Sequence, residues 1–202
     1  MKKFGSAIIL AGGKSTRMGF DKQLIRFQER SLVETLIQKL REEFQEIVIV
    51  TNKPEYYIGL ADIITGDVIE GKGPLGGIHA GLLMASSRYS YVVACDMPSI
   101  DLEYVRYMKN RIANSNPLAC VTRLGEWIEP FNAFYRKDLS GHIERFLTSG
   151  GRAIHRMLDE HSVEYVPEKE ARRFSPDWNM FYNLNTREDV QEYLQRNEGN
   201  GA

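Results

Sequence analysis

A run of glycines, hydroxyls and cations follows the first apolar stretch of the chain. Residues 10–22 have the sequence LAGGKSTRMGFDK. Glycines in such a loop let the backbone approach an anion closely and offer N–H groups to it. Arg17 and Lys22 can add charge-assisted hydrogen bonds to phosphate oxygens. The loop therefore predicts a triphosphate site, and a solvated basic loop is the simpler alternative.

Two familiar nucleotide-binding loops are excluded by the spacing of these glycines. A P-loop that ended at residues 13–15 would need a glycine where Ile8 stands. The GxGxxG fingerprint also fails, because Gly12 and Gly13 are adjacent and Gly19 lies too far along. The loop therefore belongs to neither class, and a dehydrogenase is disfavoured.

A single carboxylate follows another apolar run, residues 91–95. Asp96 would then stand at the carboxyl edge of a sheet, where ligands of open α/β sheets bind. Mg²⁺ binds through one or two carboxylates together with phosphate oxygens, so Asp96 is a candidate metal ligand and catalytic residue. A helix N-cap or an ion pair with a lysine is the alternative role. The histidines show no zinc-binding spacing.

Short apolar runs rich in Ile and Val predict the strands that would position these residues. Their continuous apolarity is typical of strands covered on both faces. Helical patterns alternate with them, and Ser31 with Glu34 matches a capping box. We therefore expect a single-domain, Rossmann-like α/β fold with a mostly parallel sheet and helices on both faces. The predicted strands are 7–11, 47–51, 62–65, 91–95, 118–122, 131–135, 163–167 and 180–182, and the later helices are 74–86, 101–112, 139–147, 153–159 and 189–196. The domain would span 1–196, with a frayed tail at 197–202.

Composition limits the classes of partner. The 202 residues are 43% hydrophobic, which suffices for one core. The 26 basic and 27 acidic residues nearly cancel, so neither nucleic acid nor an anionic membrane is favoured. No apolar run approaches the roughly 20 residues of a membrane span. The two cysteines form no CxxC pair, which fits a reducing cytoplasm.

Four segments in this order resemble one known family. They are LAGGKSTRMGFDK at 10–22, GPLGGI at 73–78, CDMP at 95–98 and NLNT at 183–186. Together they resemble the molybdenum cofactor guanylyltransferases (MobA) within the glycosyltransferase-A-like nucleotidyltransferases. That resemblance covers nearly the whole chain, and it implies a nucleotide-diphospho-sugar transferase-like fold.

The resemblance also implies an activity. GMP would pass from GTP to the phosphate of molybdopterin that bears molybdenum, giving molybdopterin guanine dinucleotide and pyrophosphate, with Mg²⁺ held by Asp96. Transient contact with molybdoenzymes or their chaperones would follow. Arg17, Lys22 and Asp96 are the expected catalytic residues. The expected nucleotide-binding residues are Leu10, Ala11, Gly12, Gly13, Lys22, Asn52, Asp67, Gly73, Pro74, Leu75 and Asp96, and Asn183 and Asn185 would face the acceptor.

Several of these residues have simpler structural roles that stay open. Asn52 and Asp67 could be turn residues, Pro74 could merely start a helix, and Thr186 with Asp189 could merely cap one. The acceptor side could further include an aromatic or phosphate-binding set: Arg123, Trp127, Glu129, Pro130, Phe131, Arg152 and Arg156. CTP as donor, a sugar-phosphate acceptor, or a non-catalytic nucleotide-binding adaptor are the alternative functions.

Overall fold

The protein is described here from a computed structural model, which covers residues 1–12, 26–27 and 30–198. Nine strands occur in this part of the chain: β1 Ser6–Leu10, β2 Arg26–Phe27, β3 Arg30–Ser31, β4 Glu46–Val50, β5 Ile63–Thr65, β6 Tyr89–Ala94, β7 Ala119–Leu124, β8 Trp127–Arg136 and β9 Val163–Pro167. The helices are α1 Leu32–Leu40, α2 Pro74–Met84, α3 Leu102–Arg111, α4 Leu139–Thr148, α5 Ile154–Asp159, α6 Glu168–Ala171 and α7 Arg187–Glu198. Short 3₁₀ turns span Pro54–Tyr57 and Asn179–Phe181.

The main sheet has the order β5-β4-β1-β6-β8-β7-β9. Strand β8 runs antiparallel to both of its neighbours, and the remaining pairings are parallel. The expected mostly parallel sheet is therefore confirmed. From β1 the chain moves outward to β4 and β5, and then returns to the other side of β1 with β6. This reversal between β1 and β6 is a topological switch point, where open α/β sheets bind their ligands.

Helices cover both faces of the sheet, as expected. Alternate residues of β1 face opposite layers, because successive side chains of a strand point to opposite faces. Ile9 packs in the layer formed by α1 and α3, whereas Ile8 packs in the layer formed by α2, α4 and α5. Both side chains are fully buried. Strand β1 therefore forms the centre of the protein and holds its carboxyl end in a fixed place.

Several segments differ from the sequence-based expectation. Strand β8 begins at Trp127 and not at residue 131, and β2, β3 and α6 were not predicted. Residues 180–182 were expected to form a strand, which is wrong. Met180 and Phe181 belong to a 3₁₀ turn, because Trp178 adopts a left-handed backbone with φ of 65° and turns the chain before it. Helix α7 runs to Glu198, two residues beyond the predicted end, and 199–202 lie outside the described residues. No helix of the described chain combines the length and apolarity that a membrane span requires.

Candidate functional site

The carboxyl ends of β1 and β6 lie side by side, and both candidate loops leave from there. The Cys95 N–H donates to the Leu10 carbonyl at 3.0 Å, and the Ala11 N–H donates to the Val50 carbonyl at 2.8 Å. These bonds extend the pairing of β1 with both neighbours past its last residue. Gly12 and Asp96 therefore follow adjacent strand ends at the switch point. Asp96 itself is partly exposed.

Much of the glycine-rich loop lies outside the described residues. Gly13, Arg17 and Lys22 all fall in the segment 13–25, so their expected roles stay predictions. Of the expected nucleotide-binding residues in this motif, Leu10 and Ala11 have buried side chains, and Gly12 is exposed. A ligand at this edge would therefore meet their backbone rather than their side chains.

The segment 183–185 is held against Asp96 by a main-chain hydrogen bond. The Leu184 N–H donates to the Asp96 carbonyl at 2.9 Å, and the buried Leu184 side chain packs with Leu32 and Val190. Asn183 and Asn185 flank this anchor. The structure therefore brings together two sequence motifs that are almost ninety residues apart in the chain.

Asn185 is fixed further by the first turn of α7. The Asp189 carboxylate accepts from the N–H groups of Asn185 and Thr186, both at 2.7 Å, and the Asp189 N–H donates to Thr186 Oγ1 at 3.0 Å. Thr186 and Asp189 thus form the expected capping box. Tyr182 also donates its hydroxyl to Asp189 at 2.6 Å, and this bond is the largest of the effects that lower the pKa of that carboxyl. The cap makes Asn185 part of a rigid corner.

Asp67 lies between β1 and the start of α2. A Cβ built on Gly77 would lie 3.2 Å from Leu10 Cδ2 and 3.7 Å from Asp67 Oδ1. Glycine at position 77 therefore leaves room for the Asp67 carboxyl beside Leu10. Burial raises the pKa of Asp67, and the negative charge of Glu70 raises it further. A half-buried carboxyl with a raised pKa at a sheet edge is typical of a functional group.

The GPLGG segment forms the start of α2, as the proline indicates. Gly73 precedes the helix with φ of 63°, in the left-handed region that favours glycine, and Pro74 is its first residue. The Leu75 side chain is buried in the core, so only its backbone could contact a ligand. Helix starts leave N–H groups without intrahelical partners, which suits an anion or the carbonyl edge of a base.

The end of β4 joins the same edge. Thr51 donates its hydroxyl to the Ala11 carbonyl at 3.2 Å and accepts from the Lys53 N–H at 3.1 Å. Asn52 lies between these residues and is exposed. Sequence reasoning singled out Asn52 and missed Thr51, although a hydroxyl directly after an apolar strand is the available signal.

The proposed acceptor-side residues fall into two groups. Trp127, Glu129, Pro130 and Phe131 belong to β8, on the other side of β6 from β1. Trp127 is largely exposed, whereas Glu129 is half-buried. Arg123 lies near the end of β7, and its guanidinium is 3.7 Å from the Tyr165 ring centroid. Arg152 and Arg156 are exposed near or on α5, and no contact described for them joins them to Asp96.

Asn132 is a buried residue that sequence reasoning missed. Its backbone is left-handed, with φ of 51°, within an irregular stretch of the β7–β8 pairing. Tyr91 donates its hydroxyl to Asn132 Oδ1 at 2.7 Å, and Asn132 Nδ2 donates to the Met180 carbonyl. The asparagine in the apolar run 131–135 was the available signal. Asn132 ties the sheet to the chain that leads into Asn183 and Asn185.

The residues at this edge fit a hard cation better than a soft one. The described chain contains no group of three or more His, Cys, Asp or Glu side chains that could enclose a metal ion. Asp96 offers carboxylate oxygens, and Asn183 Oδ1 is a buried oxygen with no hydrogen-bond partner among the described residues. Mg²⁺ prefers oxygen ligands and needs only one or two carboxylates when phosphates complete its shell. This donor set therefore suits Mg²⁺ bound together with a nucleotide.

Comparison with known proteins identifies the family of this chain. The sequence model of the MobA-like NTP transferase domain family matches residues 7–165. The chain belongs to this family. A "probable molybdenum cofactor guanylyltransferase" of Peptoclostridium acidaminophilum is 53% identical to this MobA-like chain, over 96% of the chain and 90% of that protein. A "molybdenum cofactor guanylyltransferase" of Syntrophotalea carbinolica is 50% identical, over 98% and 95%.

A solved structure shares the fold of this MobA-like chain along nearly its full length. It is the "molybdopterin-guanine dinucleotide biosynthesis protein A" of Archaeoglobus fulgidus, with a TM-score of 0.81 and 26% identity. The match covers 96% of this chain and 99% of that one. The protein is therefore a nucleotidyltransferase with a single α/β domain.

Proposed function

We propose that this protein transfers GMP from GTP to the terminal phosphate of molybdopterin that bears molybdenum, forming molybdopterin guanine dinucleotide and pyrophosphate. The observation that supports this most is the hydrogen bond from Leu184 to the Asp96 carbonyl. It brings the NLNT motif and the strand-end carboxylate to one edge, at the switch point of the sheet. The names of the 53% and 50% identical relatives support the same activity.

Nucleotide binding is assigned to the β1, β4 and β5 side of Asp96. The backbone of Leu10, Ala11, Gly12 and Gly13, with Arg17 and Lys22, would hold the triphosphate. Asn52, Asp67 and the start of α2 at Gly73, Pro74 and Leu75 would contact the ribose and base. Asn183 and Asn185 would face the acceptor.

Asp96 would hold the metal ion, which we propose to be Mg²⁺. Such an ion would supply positive charge that offsets the negative charge of the triphosphate and so favours departure of pyrophosphate. Arg17 and Lys22 would stabilise the same developing charge from the protein side. None of these groups needs to donate or accept a proton.

The reaction then needs little beyond positioning. An oxygen of the acceptor phosphate, already anionic, attacks the α-phosphorus of GTP, and the bond from that phosphorus to the β-phosphate oxygen breaks. The electron pair leaves with pyrophosphate. Because no proton must be removed from the attacking oxygen, alignment of the two phosphates at Asp96 accounts for most of the rate enhancement.

We also propose that this chemistry takes place in the cytoplasm, where molybdoenzymes or their chaperones would receive the product. No disulfide joins Cys95 and Cys120. Cysteines outside disulfides are typical of proteins in a reducing compartment.

A panel of four triphosphates tests the proposed function. Pyrophosphate release would be measured with GTP, CTP, ATP and UTP in the presence of Mg²⁺, first with molybdopterin that bears molybdenum and then with a sugar phosphate. The product would be identified by mass, and GTP binding would be measured by titration. We expect turnover with GTP that exceeds each other nucleotide at least about tenfold, a difference of about 1.4 kcal/mol. Preference for CTP, or turnover only with a sugar phosphate, would replace the proposal with another nucleotidyltransferase. GTP binding without turnover would indicate an adaptor.

A further inference from the structure

Glu129 is a half-buried carboxyl that lacks a cationic partner among the described residues. Its described side-chain hydrogen bond comes from the indole of Trp178. Burial raises the pKa of Glu129, and the bond from Trp178 offsets only part of that effect. A carboxylate that is partly withdrawn from water and has no cationic partner costs some folding free energy. A ligand that donates hydrogen bonds to this carboxylate would explain why the fold keeps it there.

The backbone around Glu129 is held in two unusual conformations. Asn132 and Trp178 both have positive φ, and neither is a glycine. The Trp178 ring centroid is 4.7 Å from the Arg172 guanidinium and 4.6 Å from the Phe181 ring centroid. Left-handed non-glycine residues cost of order 1–3 kcal/mol each and cluster at ligand sites. The fold thus maintains strain on both segments that meet at Glu129.

The position of Glu129 indicates which substrate it would contact. Glu129 lies on β8 and pairs with Thr122 of the neighbouring strand β7. Strand β8 lies next to β6, on the side away from β1. The candidate nucleotide residues Asn52 and Asp67 follow β4 and β5, on the opposite side of β6. A dinucleotide product that spans Asp96 would place its guanosine half on one side and its acceptor half on the side of Glu129.

A pterin ring offers the chemistry that a carboxylate recognises. The pyrimidine half of an oxidised or reduced pterin presents a ring N–H beside an exocyclic amino group, which gives two parallel donors. An ionised carboxylate is an acceptor only and can receive two such bonds at once. We propose that Glu129 binds this N–H edge of the acceptor and thereby determines acceptor specificity. The inference rests on the proposed function, because it assumes a pterin acceptor.

Glu129→Gln tests this role directly. Glutamine keeps an oxygen that can accept from Trp178, but it replaces the second acceptor with an amino donor that repels the pterin donors. We expect the acceptor KM in the GTP-dependent pyrophosphate assay to rise at least about tenfold, with the GTP KM unchanged. The melting temperature should stay the same or rise, because the variant removes a partly buried charge that has no cationic partner among the described residues. Glu126→Gln, an exposed change on the same hairpin, is the control, and its KM values and melting temperature should equal those of wild type.

A binding experiment separates specificity from turnover. Fluorescence titrations, made at saturating GTP, would compare 6-hydroxymethylpterin with 6-hydroxymethyllumazine, in which oxygen replaces the amino group. Wild type should bind the pterin at least about tenfold more tightly, and Glu129→Gln should lose that preference. Equal binding of both compounds to wild type, no pterin binding, or an unchanged preference in Glu129→Gln would overturn the inference.

The two proposals fail in different ways. Wild type without GTP-dependent turnover of molybdopterin would contradict the proposed function. Normal wild-type turnover with an unchanged acceptor KM in Glu129→Gln would contradict only the role of Glu129. A raised GTP KM in that variant would assign Glu129 to the guanine base, which has a similar N–H edge, and would also overturn the inference. A lowered melting temperature with unchanged KM values would show a structural role.

Discussion

His79 is a residue whose environment decides its charge. It is 1% exposed within α2, and neither ring nitrogen has a hydrogen-bond partner among the described residues. Burial lowers the pKa of His79, and the negative charge of Glu144 only partly opposes this. The folded protein therefore holds His79 neutral, whereas the unfolded chain protonates it near its ordinary pKa of about 6.5.

This difference predicts an acid-sensitive stability. The contribution of neutral His79 is fully present above the unfolded pKa and is lost as pH falls from about 6.5 towards the lower folded value. In His79→Leu the loss of melting temperature between pH 7.5 and pH 5 should shrink by about 2–4 °C, which corresponds to about 1 kcal/mol. The exposed His155, replaced by leucine, provides the control and should keep the wild-type pH dependence. An identical pH dependence in wild type and His79→Leu would contradict this account.

Individual site residues were predictable to different degrees. Asp96 was identifiable because a charge directly after a buried strand must lie at a sheet edge. Asn132 and Trp178 were not, because their importance comes from a left-handed backbone and from partners distant in the chain. Sequence reasoning named Glu129 as an acceptor-side candidate, which stays a prediction, and its partial burial and its bond with Trp178 depend on the fold.

At the scale of elements, α2 packs unusually close to β1. A Cβ built on Gly81 would lie 2.5 Å from Ile8 Cγ2, and Ile8 is fully buried in the central strand. Neither side can move easily, because β1 pairs with strands on both sides. This close approach sets the position of the helix start at Gly73 relative to the carboxyl end of β1.

Alanine substitution in two helices tests that constraint. Gly81→Ala should destabilise the protein by about 1–3 kcal/mol through overpacking against Ile8. Gly141→Ala in α4 is the matched control, since its Cβ would meet nothing nearer than Arg145 Nη1 at 3.8 Å. The control should be neutral or stabilising by up to about 1 kcal/mol, because alanine favours the helix. Thermal unfolding measures both, and equal effects of the two substitutions would refute the close-packing argument.

Local signals predicted most elements and failed where tertiary contacts prevailed. The capping boxes at Ser31 and Thr186 were visible in sequence and are present. The apolar run at 180–182 suggested a strand, because nothing local in the sequence shows that Trp178 turns the chain just before it. The irregular pairing of β7 with β8 also could not be inferred, because apolar periodicity does not reveal strand register.

At the scale of the whole molecule, the strand order explains how distant motifs come to one edge of the sheet. The carboxyl ends of β1 and β6 lie side by side because the two strands are neighbours, and the NLNT segment joins them because Leu184 bonds to the Asp96 carbonyl. Alternation of strands and helices predicted the fold class, and it also predicted that Gly12 and Asp96 lie at the same edge of the sheet. The docking of residues 183–185 depends on the main-chain contact with Asp96 and on the packing of Leu184 against Leu32 and Val190, which no local pattern encodes.

The most direct test of the account is the Asp96→Ala enzyme. Leu184 bonds to the main-chain carbonyl of Asp96, so this substitution removes the carboxylate and leaves that contact available. Pyrophosphate release with saturating GTP, molybdopterin and Mg²⁺ should fall at least about 100-fold, with the melting temperature nearly unchanged. Asp159→Ala, an exposed acidic change on α5, should retain wild-type turnover. Turnover of Asp96→Ala within about threefold of wild type would contradict a metal-binding carboxylate at the switch point.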